Sequence, residues 1–323
     1  MKRELIQDFT KGNVTKQLIR FGAPLFLANM FQVLYNITDM IVVGRFVGKT
    51  GMSAVSVGGD LTDFLTYFVM GLSNAAQVII SQYIGSGKRD ALSRFIGTFA
   101  SFMLMSVCVI STVCLILRKQ LLLWMNTPGE AYSQALGYSV ITMSGLVFIY
   151  GYNAVSAVIR GLGDSKYPFV FVSIAAGLNI VLDLLFVGAF RMDAKGAAFA
   201  TVISQAVSFI SALIFLTRNK DNLGFSVHRS DFCIDKEQLS SLLKLGLPMA
   251  LKSSSIGFTK LFTNSWINSY GTVISAVTGM GTKINNIGNL FSNSLTTAGA
   301  SMVGQRPDRK STRLNSSHDQ ISY

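Results

Sequence analysis

Apolar runs long enough to cross a bilayer alternate with short polar breaks along almost the whole chain. A helix of about 20 apolar residues spans a hydrocarbon core of about 30 Å. The pattern predicts eight spans: Arg20–Val43, Met52–Ile84, Phe95–Leu117, Tyr132–Ile159, Tyr167–Phe190, Ala194–Leu216, Leu239–Tyr270 and Val273–Val303. Several exceed the length a span needs, which implies tilted helices or ends that protrude into water. Between the third and fourth spans, Arg118–Pro128 carries Leu121, Leu122, Leu123 and Trp124. That is the pattern of an interfacial segment with tryptophan at headgroup level. The expected fold class is an all-α integral membrane protein, a polytopic helical bundle.

Composition agrees: of 323 residues, 50% are hydrophobic and 14% charged, where a soluble domain carries about 25% charged residues. The net charge of +12 does not point to nucleic acid, because the basic residues sit between apolar runs and not on one patch. With the N-terminus inside, one set of breaks holds Lys2, Arg3, Lys11, Lys16, Arg20, Lys88, Arg89, Arg94, Arg160, Lys166, Arg218, Lys220, Arg229, Lys236 and Lys244. The opposite set holds only Arg45, Lys49, Arg118, Lys119, Arg191 and Lys195. Positive residues gather on the cytoplasmic side, so the expectation is a multi-pass plasma-membrane protein, monomeric, with a cytoplasmic N-terminus. The polar start, Met1–Lys16, is not a signal peptide. Cys108, Cys114 and Cys233 show no ligand spacing, and His228 and His318 lie in polar segments. Neither a metal centre nor a nucleophilic triad is expected, and no enzyme activity.

The beginning of the chain returns later in it. Phe21-Gly-Ala-Pro24 matches Leu245-Gly-Leu-Pro248, Ser53-Ala-Val55 matches Ser275-Ala-Val277, and Gln82 matches Gln305, at offsets of 224, 222 and 223. Six spans separate the copies, so both enter the membrane from the same side: a parallel repeat about an axis along the membrane normal, as in secondary transporters. The expected organisation is a six-helix N-lobe (1–217), a cytoplasmic linker (218–237), two helices of a second lobe (238–305) and a disordered, non-native tail (306–323). The second copy stops after two spans, which predicts a truncated form. On that reading Lys16–Leu216 packs on itself while Ser240–Val303 is loosely held, without transport activity.

A carboxylate inside a membrane helix costs at least about 2.5–3.5 kcal/mol on insertion scales and needs a partner or a use. Asp183 lies within the apolar run Phe169–Phe190, with Asn179 four residues earlier on the same helix face. It is either a structural acid satisfied by a neighbouring helix or a proton or cation site. At 1.5 Å per residue Asp39 lies roughly 6 Å from Val43, Asp183 about 24 Å from Tyr167, and Thr201 about 10 Å from Ala194. All three fall in the same outer half of the bilayer, with Asn179 one turn further in. Their carboxylate, amide and hydroxyl groups suit a small hard cation, and two adjacent carboxylates would also hold a proton. The candidate ion-binding or proton-coupling residues are Asp39, Asn179, Asp183 and Thr201. Candidate cavity-lining residues are Tyr35, Asn36, Asp60, Asp63, Gln205, Lys260 and Lys283.

These residues resemble the multidrug and toxic compound extrusion family of the polysaccharide-exporter superfamily, over about Lys11–Gln305. The resemblance rests on Pro24 and Asp39 with Gly44-Arg45, Ser81-Gln-Tyr-Ile-Gly85, Arg160-Gly-Leu-Gly-Asp164 with Pro168, Asn179-Ile-Val-Leu-Asp183, and Gly196-Ala-Ala-Phe-Ala-Thr201 with Ser204-Gln205. It implies two six-helix lobes around a central cavity and efflux of organic cations driven by sodium or protons. It also implies an N-lobe ion site at Asp39, Asn179, Asp183 and Thr201. Leu184 departs from the proline that many relatives carry after the acid. The expected function is a cation-coupled (H+ or Na+) antiporter exporting organic cations or drugs by alternating access, with no cofactor besides the coupling ion. The alternatives are a lipid-linked oligosaccharide flippase and a non-transporting membrane scaffold.

Overall fold

A computed structural model describes residues 13–219 and 232–305, and every regular element among them is helical. Lys2, Arg3, Lys11, Lys220, Arg229, both histidines, most of the 218–237 linker and the 306–323 segment lie outside the described residues.

Helix α1 (Val14–Phe46) starts where the Asn13 side chain accepts the Lys16 N–H, a standard N-cap. It continues through Pro24. α2 (Lys49–Ser86) stops at Gly87, whose φ of 72° suits glycine. α3 (Arg89–Trp124) runs on through Arg118–Trp124, predicted as a separate interfacial segment. The Arg118 guanidinium donates back to the Leu115 carbonyl at 2.6 Å, so the charge rides on the helix end without breaking it.

The fourth predicted span is two helices, α4 (Gly129–Ser144) and α5 (Leu146–Gly161), bent by 46°. A Cβ at the intervening Gly145 would stand 2.5 Å from Val202, so the missing side chain lets the next-but-one helix approach. α6 (Lys166–Asp183) gives way directly after Asp183 to a π-helical turn, Leu184–Ala189. Irregular turns of this kind are frequent at functional sites. α7 (Asp193–Arg218) completes the first lobe. α8 (Lys236–Asn268), capped by the Asp235 side chain, and α9 (Thr272–Gln305) follow, and α8 passes through Pro248, the repeat partner of Pro24.

Among the described residues five helices are long and apolar enough to span a membrane, and the bent α4–α5 pair makes six. α8 and α9 have the length, at 33 and 34 residues, but a lower share of apolar residues, because serine, threonine, asparagine and lysine recur along them. Large apolar side chains such as Leu104, Ile116, Val181, Phe258 and Trp266 are exposed around the perimeter, as in a multi-pass membrane protein whose outer surface meets lipid.

Short connections gather the helix ends at two levels, one marked by Lys49, Trp124 and Asn268, the other by Ser86, Gly161 and Gln305. Each half has its own core. Phe95, Phe99, Tyr150 and Leu162 pack near the Ser86 end, while Met40, Val43, Leu61 and Leu122 pack near the Lys49 end.

Ser240–Val303 is not loosely held. α8 and α9 pack along α2 and α1. At Gly71 a Cβ would collide with the Ala250 backbone, and at Gly257 with the Tyr67 ring, so helix backbones approach closely through small residues. Asn29 donates to Ser294 at 3.1 Å, and Phe21, Leu25, Ala298 and Met302 form a small apolar cluster. Repeat-equivalent positions meet each other. The Ser53 hydroxyl donates to that of Ser275 at 2.9 Å, a Cβ at Gly279 would collide with Ser56, and one at Gly304 would lie 3.0 Å from Ser81. α2 and α9 therefore lie side by side on the pseudo-twofold axis of the repeat.

Candidate functional site

Asp39 on α1 is 5% exposed, Asn179 on α6 is 1% and Asp183 is 0%. Asp39 Oδ1, both amide atoms of Asn179 and both carboxylate oxygens of Asp183 are buried without a hydrogen-bond partner. The two carboxylates lie within Coulombic reach of each other. Buried polar groups are nearly always paired, so this concentration of unpaired oxygen on two adjoining helices calls for a group to fill it. Carboxylate and amide oxygens offer lone pairs to a proton or a hard cation and nothing to a soft metal.

α7 supplies the third wall. Thr201 is half-buried, and four residues later the Gln205 amide donates to the Tyr35 hydroxyl in a long bond of 3.5 Å. Tyr35 precedes Asp39 by four residues, so this bond sits one helical turn from both Asp39 and Thr201 and holds α1 against α7 beneath them. Ser204, three residues past Thr201, is buried with an unpaired hydroxyl, as is Ser208. Neither hydroxyl was among the predicted site residues, although Ser204 stands in the quoted Ser204-Gln205 motif and the spacing of both from Thr201 places them on its helix face. Asn36 is half-buried on α1.

The remaining predicted residues meet in a second place. Asp60, Asp63, Tyr67, Lys260 and Lys283 line one pocket between α2, α8 and α9. Asn264 donates to Asp60 at 2.7 Å, and the Lys260 ammonium lies 3.1 Å from the Tyr67 hydroxyl and 5.7 Å from its ring centre. The free volume among these groups is about 20 Å³, room for one water. Lys283, a candidate cavity-lining residue, points inward, half-buried against the acids of α2.

Hydrogen bonds also join the two repeats at both helix-end levels. At the Lys49 end Asn126 donates to Ser265 at 3.0 Å, Asn268 to the Met125 carbonyl at 3.1 Å and Thr272 to Glu130 at 3.1 Å. At the Ser86 end the Gln77 amide donates to Ser301 at 2.6 Å while its carbonyl accepts from Arg160 at 2.8 Å. Tyr83 donates to Gln238 at 2.7 Å. Arg160 and Gln77 were not among the predicted site residues, although Arg160 opens the Arg160-Gly-Leu-Gly-Asp164 motif. The described end of the linker is pinned as well: Arg94 lies 3.5 Å from Asp235, and Ser101 donates to the Phe232 carbonyl at 2.6 Å.

The MatE family model matches residues 24–185. The chain is 33% identical over 298 residues to the probable multidrug resistance protein YpnP of Bacillus subtilis, covering 92% of this chain and 66% of that one. It is 26% identical to the multidrug export protein MepA of Staphylococcus aureus, covering 87% and 62%. The chain thus spans somewhat less than two thirds of the length of these relatives. Among solved structures, an outward-facing multidrug resistance MATE transporter of the MOP superfamily superposes with a TM-score of 0.82 at 24% identity, covering 95% of this chain and 68% of that one. A MOP superfamily transporter from Pyrococcus furiosus, described as having a binding pocket of reversed polarity, superposes with a TM-score of 0.81 at 25% identity, covering 94% and 67%. With the family model covering half of its length, the chain belongs to the MatE family.

Proposed function

We propose that the chain carries the ion-coupling lobe of an antiporter that exports organic cations or drugs in exchange for H+ or Na+. Asp39, Asn179, Asp183 and Thr201 are its ion site. The observation that carries this reading is the set of buried, unpartnered oxygens on Asp39, Asn179 and Asp183. A bound proton or sodium ion removes the cost of burying them. Filling the site changes the charge between α1, α6 and α7, and so biases one packing of the lobes over another. The ion site lies in the half of the bilayer that faces outward when the N-terminus is cytoplasmic in the plasma membrane. An ion crossing the membrane inward gains about 2.3 kcal/mol per 100 mV, which drives uphill export whenever more positive charge enters than leaves. The functional unit is a monomer, and residues 1–217 and 238–305 belong to two lobes that move against each other.

The test replaces Asp183 by Asn in a version carrying all six helices of the second repeat. Ion-driven export of a fluorescent organic cation is expected to vanish at equal membrane abundance. Unchanged export would overturn the assignment.

A further inference from the structure

We propose that Lys283 is a tethered cation: its ammonium occupies the inter-lobe pocket beside Asp60 and Asp63, and a transported organic cation must displace it to bind there. The inference rests on the efflux reading and adds the occupant with which the substrate competes.

Lys283 comes from α9 in the second lobe and lines the pocket together with two acids of the first. Its Nζ lies 3.9 Å from where a Cβ at Gly59 would stand, so the chain has threaded against the bare backbone of α2. Asp63, Asp60 and Asp39 all lie within Coulombic reach of it, yet it makes no ion pair within 4.0 Å among the described residues. A structural ion pair inside a membrane bundle would be close and hydrogen-bonded, because only good geometry offsets the desolvation of both charges. Lys283 is instead held by several acids at a distance, on a flexible four-carbon stem.

Asp60 and Lys260 do not share this freedom. Asp60 is bound by Asn264, and Lys260 by Tyr67. The pocket as it stands admits about one water. An incoming organic cation therefore reaches the charge of Asp60 and Asp63 by taking the place of the Lys283 ammonium that these acids now face. Because Lys283 belongs to the opposite lobe from the acids, its departure also removes a cross-lobe attraction at the moment the substrate arrives.

The test measures binding of ethidium, a fluorescent organic monocation, to the purified chain by anisotropy. Lys283→Gln is expected to tighten binding at least tenfold, about 1.4 kcal/mol. Lys283→Arg, which keeps the tether, stays within about threefold of wild type. Lys252→Gln, an exposed lysine of α8 outside this pocket, binds as wild type does. Equal affinity in wild type and Lys283→Gln, or an equal gain from Lys252→Gln, overturns the proposal. A second measurement needs no variant: saturating ethidium should speed amine acylation at Lys283 several-fold, read by mass spectrometry, and an unchanged or slower rate counts against displacement. Coupled export is judged separately. A tighter Lys283→Gln without ion-driven export sinks the antiport reading alone, and ion-driven export with unchanged affinity sinks the tether alone.

Discussion

Asp183→Asn in the purified chain separates a binding acid from a structural one. Both carboxylate oxygens of Asp183 are buried and unpartnered, and each unsatisfied buried polar group costs about 1–3 kcal/mol. If the side chain exists to bind an ion, the protein is stabilised by that ion through mass action, by about 2.7 kcal/mol at one hundred times the dissociation constant. For a chain of this size that is a rise in melting temperature on the order of 5 °C. The variant keeps the shape of the side chain and loses the charge. Without ion it should therefore unfold at or slightly above the wild-type temperature, and its melting point should no longer move as the ion is added. Thermal unfolding in detergent, titrated separately with sodium and with protons, reads both quantities, and the titration that shifts wild type identifies the ion. A variant that melts well below wild type and still responds to the ion would show that Asp183 holds the helices together and that the ion binds elsewhere.

Two further outcomes follow from the packing and the charge distribution. Gly71→Val should cost about 1–3 kcal/mol through overpacking, since even a Cβ there collides with the α8 backbone; the same unfolding assay checks it, and a neutral result would contradict the close approach of α2 and α8. A cysteine at Asn219 should be labelled only from the cytoplasm and one at Lys119 only from outside; reversed labelling would refute the topology.

What the sequence made legible was what a bilayer makes expensive. Asp39 and Asp183 stand out in apolar runs because a carboxylate there has no cheap alternative, and helix rise alone placed them at one depth with Thr201. The offset of about 223 residues exposed the repeat, but not that Ser53 meets Ser275 or that Ser56 lies against Gly279; equivalence says which residues correspond, and only lobe packing says which correspondents touch. Asp60, Asp63, Lys260 and Lys283 were each visible as charges, yet their convergence depends on the register between helices some 200 residues apart. The close approach at Gly145 was hidden because its neighbour there, Val202, lies on another helix. The π-helical turn after Asp183 was hidden because Leu184–Ala189 reads as ordinary apolar helix. α3 outran its predicted end because the Arg118 guanidinium found a carbonyl on its own helix.

The central claim is that the oxygens of Asp39, Asn179, Asp183 and Thr201 couple an ion to the movement of an organic cation. Running the exchange backwards tests it most directly. In proteoliposomes holding a version with a complete second repeat, an imposed gradient of ethidium should drive sodium or protons in the opposite direction, recorded by an ion-sensitive dye. The account predicts that this counterflow is present in wild type and absent in both Asp39→Asn and Asp183→Asn. Ethidium movement with no ion movement in wild type, or counterflow that survives both substitutions, would contradict it.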